Sequence, residues 1–349
     1  RHDVDAICFD GGVLSADDEL SRKSNTLYDL VSAQSVDGLL VWSSCLDWLV
    51  QPGAMQAFCD RFRPLPLVSI GRTLAGFSSV LVDNYQGMRE AVLHLVVAHG
   101  YRRIAFLRGP TGTYEEVLRY QAYTDVLAER GIPLDPELIS THTGWERADG
   151  AAMVRLLLDE RGLQPGRDFQ ALLSVSDDMT CGAMEALMAR GVRIPDDVAV
   201  VGFNDDQEGR AIVPSLTTVR QPVENVGACA TERLVAYIRG EQAVEQIVLP
   251  LTVVIRRSCG CLSPAVTDAA TPGAAAPRQA GLAHQRVDLH QALSGIGEDL
   301  DAAWIAGIGE AFCGDLARGC CDDPAQARQS MFLRDRKSTR LNSSHTIQS

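Results

Sequence analysis

Apolar residues fall along this chain in two alternating rhythms. Short continuous runs of aliphatic and β-branched residues at 38–42, 67–70, 79–82, 104–108, 172–175 and 198–203 read as strands buried on both faces. A further run at 6–9 reads the same way. Between the runs, longer stretches carry apolar residues at helical spacing. Met88, Ala91, Val92, Leu95 and Val96 fall at i, i+3, i+4, i+7 and i+8, one stripe that can pack on a sheet. Three times an amphipathic helix stops at glycine and a strand soon follows: LHLVVAHG before YRRIAFLRG, DVLAERG before IPLDPELIS, and ALMARG before VRIPDDVAVVGF. Gly100, Gly131 and Gly191 stand at the left-handed stop, and Arg130 and Arg190 complement the negative end of the helix dipole. Helix alternating with strand predicts an α/β chain with doubly wound parallel sheets.

The segment at 198–226, VAVVGFNDDQEGRAIVPSLTTVRQPVENV, adds a crossover to this rhythm. Asn204, Asp205 and Asp206 follow a buried strand at its carboxyl end, where open α/β sheets place their ligand crevices. Pro214 and Pro222 bracket an extended LTTVRQ segment, because proline pushes the residue before it out of helical geometry. A chain of 349 residues is long enough for two lobes, each with its own core.

VAVVGFNDD followed by PSLTTVRQP resembles the sensor domain of the LacI/GalR regulators, relatives of periplasmic sugar-binding proteins. The resemblance runs over about 4–261, through VDGLLVWSS, PLVSIGR, VLVDNYQGMREAVLHLVVAHGYRRIAFLRGP, RYQAYTDVLAERGI and SVSDDMTCGAMEALMARGVRIPDDVAVVGF. It implies a two-lobed, periplasmic-binding-protein-like fold over 1–261. Lobe one would hold about 1–102 plus 223–240, lobe two about 103–218 plus 247–261, and three crossings would form a hinge. By the same resemblance the run at 6–9 would be the second strand of lobe one, with the opening strand and helix missing. An Ala/Pro/Thr-rich stretch at 262–283 reads as a linker. A helical extension at 284–334 follows, with Leu289, Leu293, Ile296, Leu300 and Trp304 on one face. This extension departs from ordinary LacI-type regulators, and the SCGC ending resembles sensor domains fused to GGDEF or kinase outputs. Residues 335–349 read like a translated adapter oligonucleotide, a non-native tail.

A net charge of −13 and a pI near 5.0 oppose a phosphate-gripping surface, so DNA binding would have to come from an N-terminal domain outside this sequence. No apolar run reaches the length of about 20 residues that spans a bilayer, and no secretory leader is visible, which points to the cytoplasm and away from membranes. The ten cysteines sit in apolar contexts, as reduced core-filling cysteines do. Cys259, Cys261, Cys320 and Cys321 form CxC and CC pairs that lack the CxxC spacing of structural zinc sites, and the seven histidines show no ligand-spaced cluster, so neither metal nor cofactor is expected. No GxSxG, HExxH, P-loop or dinucleotide fingerprint appears, which excludes the common catalytic constellations.

The resemblance assigns ligand contacts residue by residue. Arg119, early in a helix after Gly109-Pro110, matches the family's ligand-binding arginine; its planar fork can hold two hydroxyls or a carboxylate, or else pair with Glu115 or Glu116. Trp145 matches a position where an aromatic ring stacks on a sugar, and otherwise reads as a lid over the core. Asp177 matches a polar ligand contact, while Asp178 is placed to cap the following helix. Asn204 stands where many relatives carry an aspartate; its amide accepts at one end and donates at the other, which changes what the position can hold. Asp205 follows it as a further ligand candidate or else a solvated loop carboxylate, and Ser43 and Arg72 stand at strand ends of lobe one, facing the crevice. Asp83 and Asn84 organise a turn and a helix start. Three functions fit: the effector sensor of a homodimeric transcription regulator closing on a small polar molecule (a sugar or nucleoside-like compound), the sensor of a multidomain signalling enzyme, or an extracytoplasmic solute-binding protein.

Overall fold

The computed structural model of the chain describes residues 5–261, apart from 10, 12–13, 15–18, 47–52, 142–143 and 242–243. Its strands are β1 (Leu39–Trp42), β2 (Leu67–Ile70), β3 (Ser78–Val82), β4 (Ile104–Leu107), β5 (Ala171–Ser174), β6 (Ala199–Val201), β7 (Thr218–Arg220), β8 (Gln246–Leu249) and β9 (Thr252–Val254). Its helices are α1 (Glu19–Ser24), α2 (Ser43–Leu46), α3 (Ala54–Asp60), α4 (Asn84–Leu93), α5 (Tyr114–Glu129), α6 (Arg147–Arg155), α7 (Asp177–Met188), α8 (Gln207–Ala211) and α9 (Val223–Ile238). The expected linker, extension and tail at 262–349, with Cys320 and Cys321, lie outside the described residues.

Two parallel sheets carry the fold. The first runs β1-β2-β3-β8, with Leu39 opposite Leu67, Ser69 opposite Ser79 and Val80 opposite Ile247. The second runs β4-β5-β6, with Phe106 opposite Leu173 and Leu172 opposite Val200. Every residue of β2, β4, β5 and β6 is buried, so unbroken apolar runs here do mark strands covered on both faces. One face of the first sheet packs on Met55 and Cys59 of α3; Val68, Ile70 and Val80 pack on Val226 and Ala230 of α9. In the second sheet Phe106 meets the rings of Tyr120 and Tyr123 on α5, with centroids 5.6 and 4.6 Å away. The helices beside it also pack pairwise, α4 on α5 and α6 on α7.

The α6–α7 pair is close because glycines face backbone. A Cβ on Gly150 would stand 1.8 Å from the Met179 carbonyl oxygen, and one on Gly182 would stand 1.9 Å from that of Arg147. Gly100, Gly131 and Gly191 take φ of 72°, 62° and 78°, the left-handed helix stops that the sequence pattern predicts.

The chain passes between the sheets three times. β3 is in the first sheet, yet Met88, Ala91, Val92 and Leu95 of the next helix are buried in the core of the second. The first crossing therefore falls at 82–84, not near 102. An amphipathic stripe specifies that a helix must be covered, and not by which sheet. The second crossing lies between β7 and α9, and the third between β8 and β9, where Leu251 joins the second core and β9 pairs antiparallel with β7. The stretch at 247–249, expected in lobe two, is the edge strand of the first sheet. Residues 6–9 form no strand, and Ile7 is 65% exposed; an apolar run becomes a strand only where a neighbour completes its ladder.

Candidate functional site

The carboxyl ends of the second sheet gather most of the expected ligand residues. Arg119, on the second turn of α5, is 3% exposed and lies flat on Phe203, its guanidinium carbon 3.7 Å from the ring centroid. Its Nε and Nη2 donate to Asn84 Oδ1 at 2.9 and 2.7 Å, and Nη1 donates to the Val175 carbonyl at 2.5 Å. Of five guanidinium donors, two then lack a hydrogen-bond partner among the described residues. Burial lowers this guanidinium to about 10, opposed by the negative charges of Glu115 and Asp177. The pairing with Glu115 or Glu116 does not form; Glu116 is buried and bound to Arg108 instead.

Trp145 is half-buried, its ring centroid 6.0 Å from the Arg119 guanidinium. The indole edge lies over Gly109, where a Cβ would come within 3.0 Å of it. The indole thus packs over Gly109 and against the second core, as a lid does, and keeps part of its surface exposed.

Asn204 follows β6 with φ of 130°. Its Oδ1 accepts from Gln221 Nε2 at 2.6 Å, its backbone oxygen accepts from Gln221 N at 3.2 Å, and its Nδ2 faces Asp206 Oδ2 at 3.5 Å. Asp206 is half-buried; desolvation raises its carboxyl, partly offset by Asn204.

Three expected contacts are sealed inside the protein. Asp177 is fully buried; Oδ1 accepts from Thr218 Oγ1 at 2.6 Å and Oδ2 from the Asp206 amide at 2.9 Å. Burial pushes its carboxyl up to about 6 against those two hydrogen bonds. It ties α7 to β7 and to the loop after β6. The helix cap belongs to Ser176, which accepts from the Met179 amide, while Asp178 accepts from the Arg147 amide at 3.0 Å. Asp205, at φ of 67°, is held by Arg220 at 2.6 Å, by Arg210 at 2.9 Å and by Arg256. Burial alone would raise that carboxyl, but hydrogen bonds from Arg256, Arg220 and Arg210 keep it below the usual carboxylate range. Ser43 is fully buried and shares a 2.7 Å hydrogen bond with Ser69, whose hydroxyl donates to the Arg72 carbonyl at 2.6 Å. Arg72 itself is half-buried at the end of β2, after Gly71. Asp177 and Ser43 open the helices α7 and α2 just after strands, and Asp205 lies in the loop after β6. Sequence position could not show that protein groups already occupy their oxygens.

The sequence reading also passed over two arrangements. The first is the tie between the ligand candidates and the crossings: Asn84 opens α4 at the first crossing, and Gln221 lies in the second. The second corrects the expectation that the cysteines and histidines form no metal-like set. The ligand atoms of His94, His99, Cys259 and Cys261 all lie within 4.8 Å of one another. The legible signal was a histidine pair five apart at a helix end together with a CxC. On an ordinary α-helix, side chains five residues apart point about 140° from each other. Here α4 runs on into a wider π-helical turn, His94–Ala98, which brings the pair round to one side.

Residues 93–259 match the periplasmic binding protein-like domain. Over 233 residues the chain is 33% identical to the HTH-type transcriptional regulator CelR of Thermobifida fusca, covering 65% of each protein. Over 254 residues it is 30% identical to the lactose operon repressor of Escherichia coli, covering 72% of this chain and 66% of that protein. It thus spans just under two thirds of the length of these curated relatives. The solved structure of a transcriptional regulator CelR–cellobiose complex superposes with a TM-score of 0.59 at 31% identity, over 69% of this chain and 71% of that one. With two parallel sheets joined by three crossings and polar side chains gathered at the sheet ends, the chain belongs to the LacI/GalR family as its periplasmic-binding-protein-like sensor domain.

Proposed function

We propose that this domain senses a small, polar, hydroxyl-bearing effector between its lobes, and that the effector acts by changing the angle of the three crossings. One observation carries the reading. The two side chains best placed to meet such a ligand, Arg119 and Asn204, each hydrogen-bond a residue in a crossing segment, Asn84 and Gln221. A ligand whose oxygen takes the two remaining N–H groups of Arg119 and whose apolar face stacks on Trp145 would bias the hinge directly, because it binds one lobe arrangement better than the other. Arg72, after β2 of the first sheet, is the candidate contact from the other lobe.

Asn204 shapes the ligand class. Its carbonyl is taken by Gln221, so it offers chiefly an N–H, a donor where an aspartate would offer acceptors. That suits a ligand presenting an acceptor at this point, such as a ring oxygen, a carbonyl or an acidic group on a sugar or nucleoside-like compound. The cellobiose bound by one solved relative belongs to the same broad class of hydroxyl-bearing molecules. No established catalytic motif accompanies the site, and the matched relatives are regulators, so the domain is read as a non-enzymatic sensor. DNA would be engaged through a domain outside this sequence, in a homodimer. Among the described residues no helix is long and apolar enough to cross a membrane.

The test is a thermal-shift and calorimetric screen of the full chain against disaccharides, aldoses, uronic acids, polyols and nucleosides, repeated on Arg119→Lys and Trp145→Ala. A binder stabilises the native chain by mass action, about 2.7 kcal/mol at a hundredfold excess over Kd. Both variants should lose most of that shift. Silence across the whole panel, or a shift that survives in both variants, overturns the reading.

A further inference from the structure

We propose that His94, His99, Cys259 and Cys261 form a four-coordinate zinc site in the second lobe, independent of the effector cleft. The four residues arrive from opposite ends of the domain, His94 and Cys261 being 167 positions apart in sequence. His94 opens the π-helical turn that follows α4, and His99 is the residue just after it. Cys259 and Cys261 come from the segment after β9, which is stitched beside β6: Val200 N donates to the Ser258 carbonyl at 2.8 Å, and Ser258 Oγ donates to the Val200 carbonyl at 2.6 Å. Gly260, at φ of 93°, then reverses the chain so that the second cysteine returns toward the first.

The three spacings among His94, His99 and Cys261 match the edges of a tetrahedron, and Cys259 completes a set whose ligand atoms all lie within 4.8 Å of one another. With zinc–nitrogen bonds of about 2.0–2.1 Å and zinc–sulfur bonds of about 2.3 Å, tetrahedral edges should be about 3.3 Å between nitrogens and about 3.6 Å between nitrogen and sulfur. His94 Nε2 and His99 Nε2 are 3.2 Å apart, and Cys261 Sγ lies 3.3 Å from His99 Nε2 and 3.8 Å from His94 Nε2. Two Nε2 atoms facing each other and a third soft donor are an awkward hydrogen-bond set but a natural ligand set. Two thiolates and two neutral imidazoles exactly balance a divalent cation in charge, which matters because Cys259 is fully buried and the other three are partly so. Sulfur with imidazole, and no oxygen ligand, selects zinc over magnesium or calcium. The surroundings hold the ligands as metal sites require: Thr217 Oγ1 lies 3.1 Å from Cys259 Sγ, and the Tyr101 ring stacks on His99 with centroids 5.2 Å apart. His94 also lines an open groove with Glu90, Leu93, Val97, Val253 and Ile255, which gives an ion a way in. Bound there, zinc would clip the helix after the first crossing to the segment after the third.

The experiment uses the full chain, purified without chelator in a non-thiol reductant, its metal content measured by plasma mass spectrometry. About one zinc per chain is expected. After chelation, added zinc should raise the melting midpoint by about 5–10 °C at a hundredfold excess over Kd, and cobalt should show thiolate charge-transfer and tetrahedral visible bands. Cys261→Ser and His94→Gln, each checked by circular dichroism for a folded chain, should weaken zinc binding by about 100-fold or more. Cys320→Ser/Cys321→Ser should leave it unchanged. Three results overturn the proposal: no zinc or cobalt binding by the chelated chain, binding that survives in Cys261→Ser combined with His94→Gln, or binding lost only when Cys320 and Cys321 are replaced. A Cys259–Cys261 disulfide found by intact mass in the chain as isolated under that reductant would overturn it too.

Discussion

Replacing Asp205 by asparagine should unfold the second lobe far more easily while leaving its backbone geometry in place. Asparagine tolerates the left-handed φ of 67° that this position requires, so the substitution isolates the charge from the strain that alanine would add. The carboxylate is 1% exposed and meets three arginines, of which Arg210 and Arg220 are 55% and 52% exposed and Arg256 only 15%. The two outer arginines return to water when the charge is lost, so each of those pairs contributes about 0.5–1 kcal/mol. Arg256 cannot, and breaking a buried pair on one side costs about 3–5 kcal/mol. Its hydrogen bond to the Leu216 carbonyl at 2.7 Å survives and offsets part of that loss. The net expectation is a loss of about 3–5 kcal/mol, equivalent to a fall of about 1–2 M in urea midpoint for a slope of about 2–3 kcal/mol per molar. Urea unfolding at pH 7, followed by circular dichroism and tryptophan fluorescence, measures it. Because the dominant pair is buried, the loss should persist in high salt. The acid side gives a second check. A carboxyl held below its unfolded value contributes stability that is present above that value and lost as pH falls through the folded one, so the wild-type advantage over Asp205→Asn should shrink in acid. A loss under about 0.5 kcal/mol at pH 7, or one abolished by salt, would refute the account of Asp205 as the node of this end of the sheet.

Asp177 should behave in the opposite sense. Its carboxyl is raised to about 6, so its contribution is present at low pH and is lost as pH rises through that value; Asp177→Asn, whose oxygen can accept from the Asp206 amide while its Nδ2 donates to a reoriented Thr218 hydroxyl, should flatten the fall in stability by up to about 3 kcal/mol, seen in melting curves from pH 4 to 8. Gly182→Ala should separate α6 from α7, since its Cβ would collide with backbone, and should lower stability by about 3 kcal/mol or more in the same urea assay; a near-neutral result would mean the helices can part at little cost. Asn84→Ala should reduce effector affinity and also apo stability, because the buried Arg119 loses the acceptor of two of its hydrogen bonds. Calorimetry alongside melting separates the two effects, and unchanged values in both would break the proposed link between the ligand arginine and the first crossing.

What could be read from the amino-acid sequence was whatever repeats along one dimension. Runs such as 67–70, 104–108 and 172–175 are strands in the structure because a strand covered on both faces has no polar side to interrupt it. The stripe on α4 and the glycine stops after three helices were legible for the same reason, and so was the order of crossover segments that carries the family resemblance. The tertiary structure decided which partners those elements meet. A stripe that reads as buried does not name its sheet, and α4 lies in the second core. A carboxylate at a strand end reads the same whether it waits for a ligand or already holds Thr218 or three arginines, and Asp177 and Asp205 do the latter. His94 and Cys261 are remote along the chain and adjacent only in space, because a π-turn and a glycine reversal aim them at one point. Period and propensity are local properties of a chain; the occupancy of a hydrogen-bonding group depends on atoms that folding brings from elsewhere.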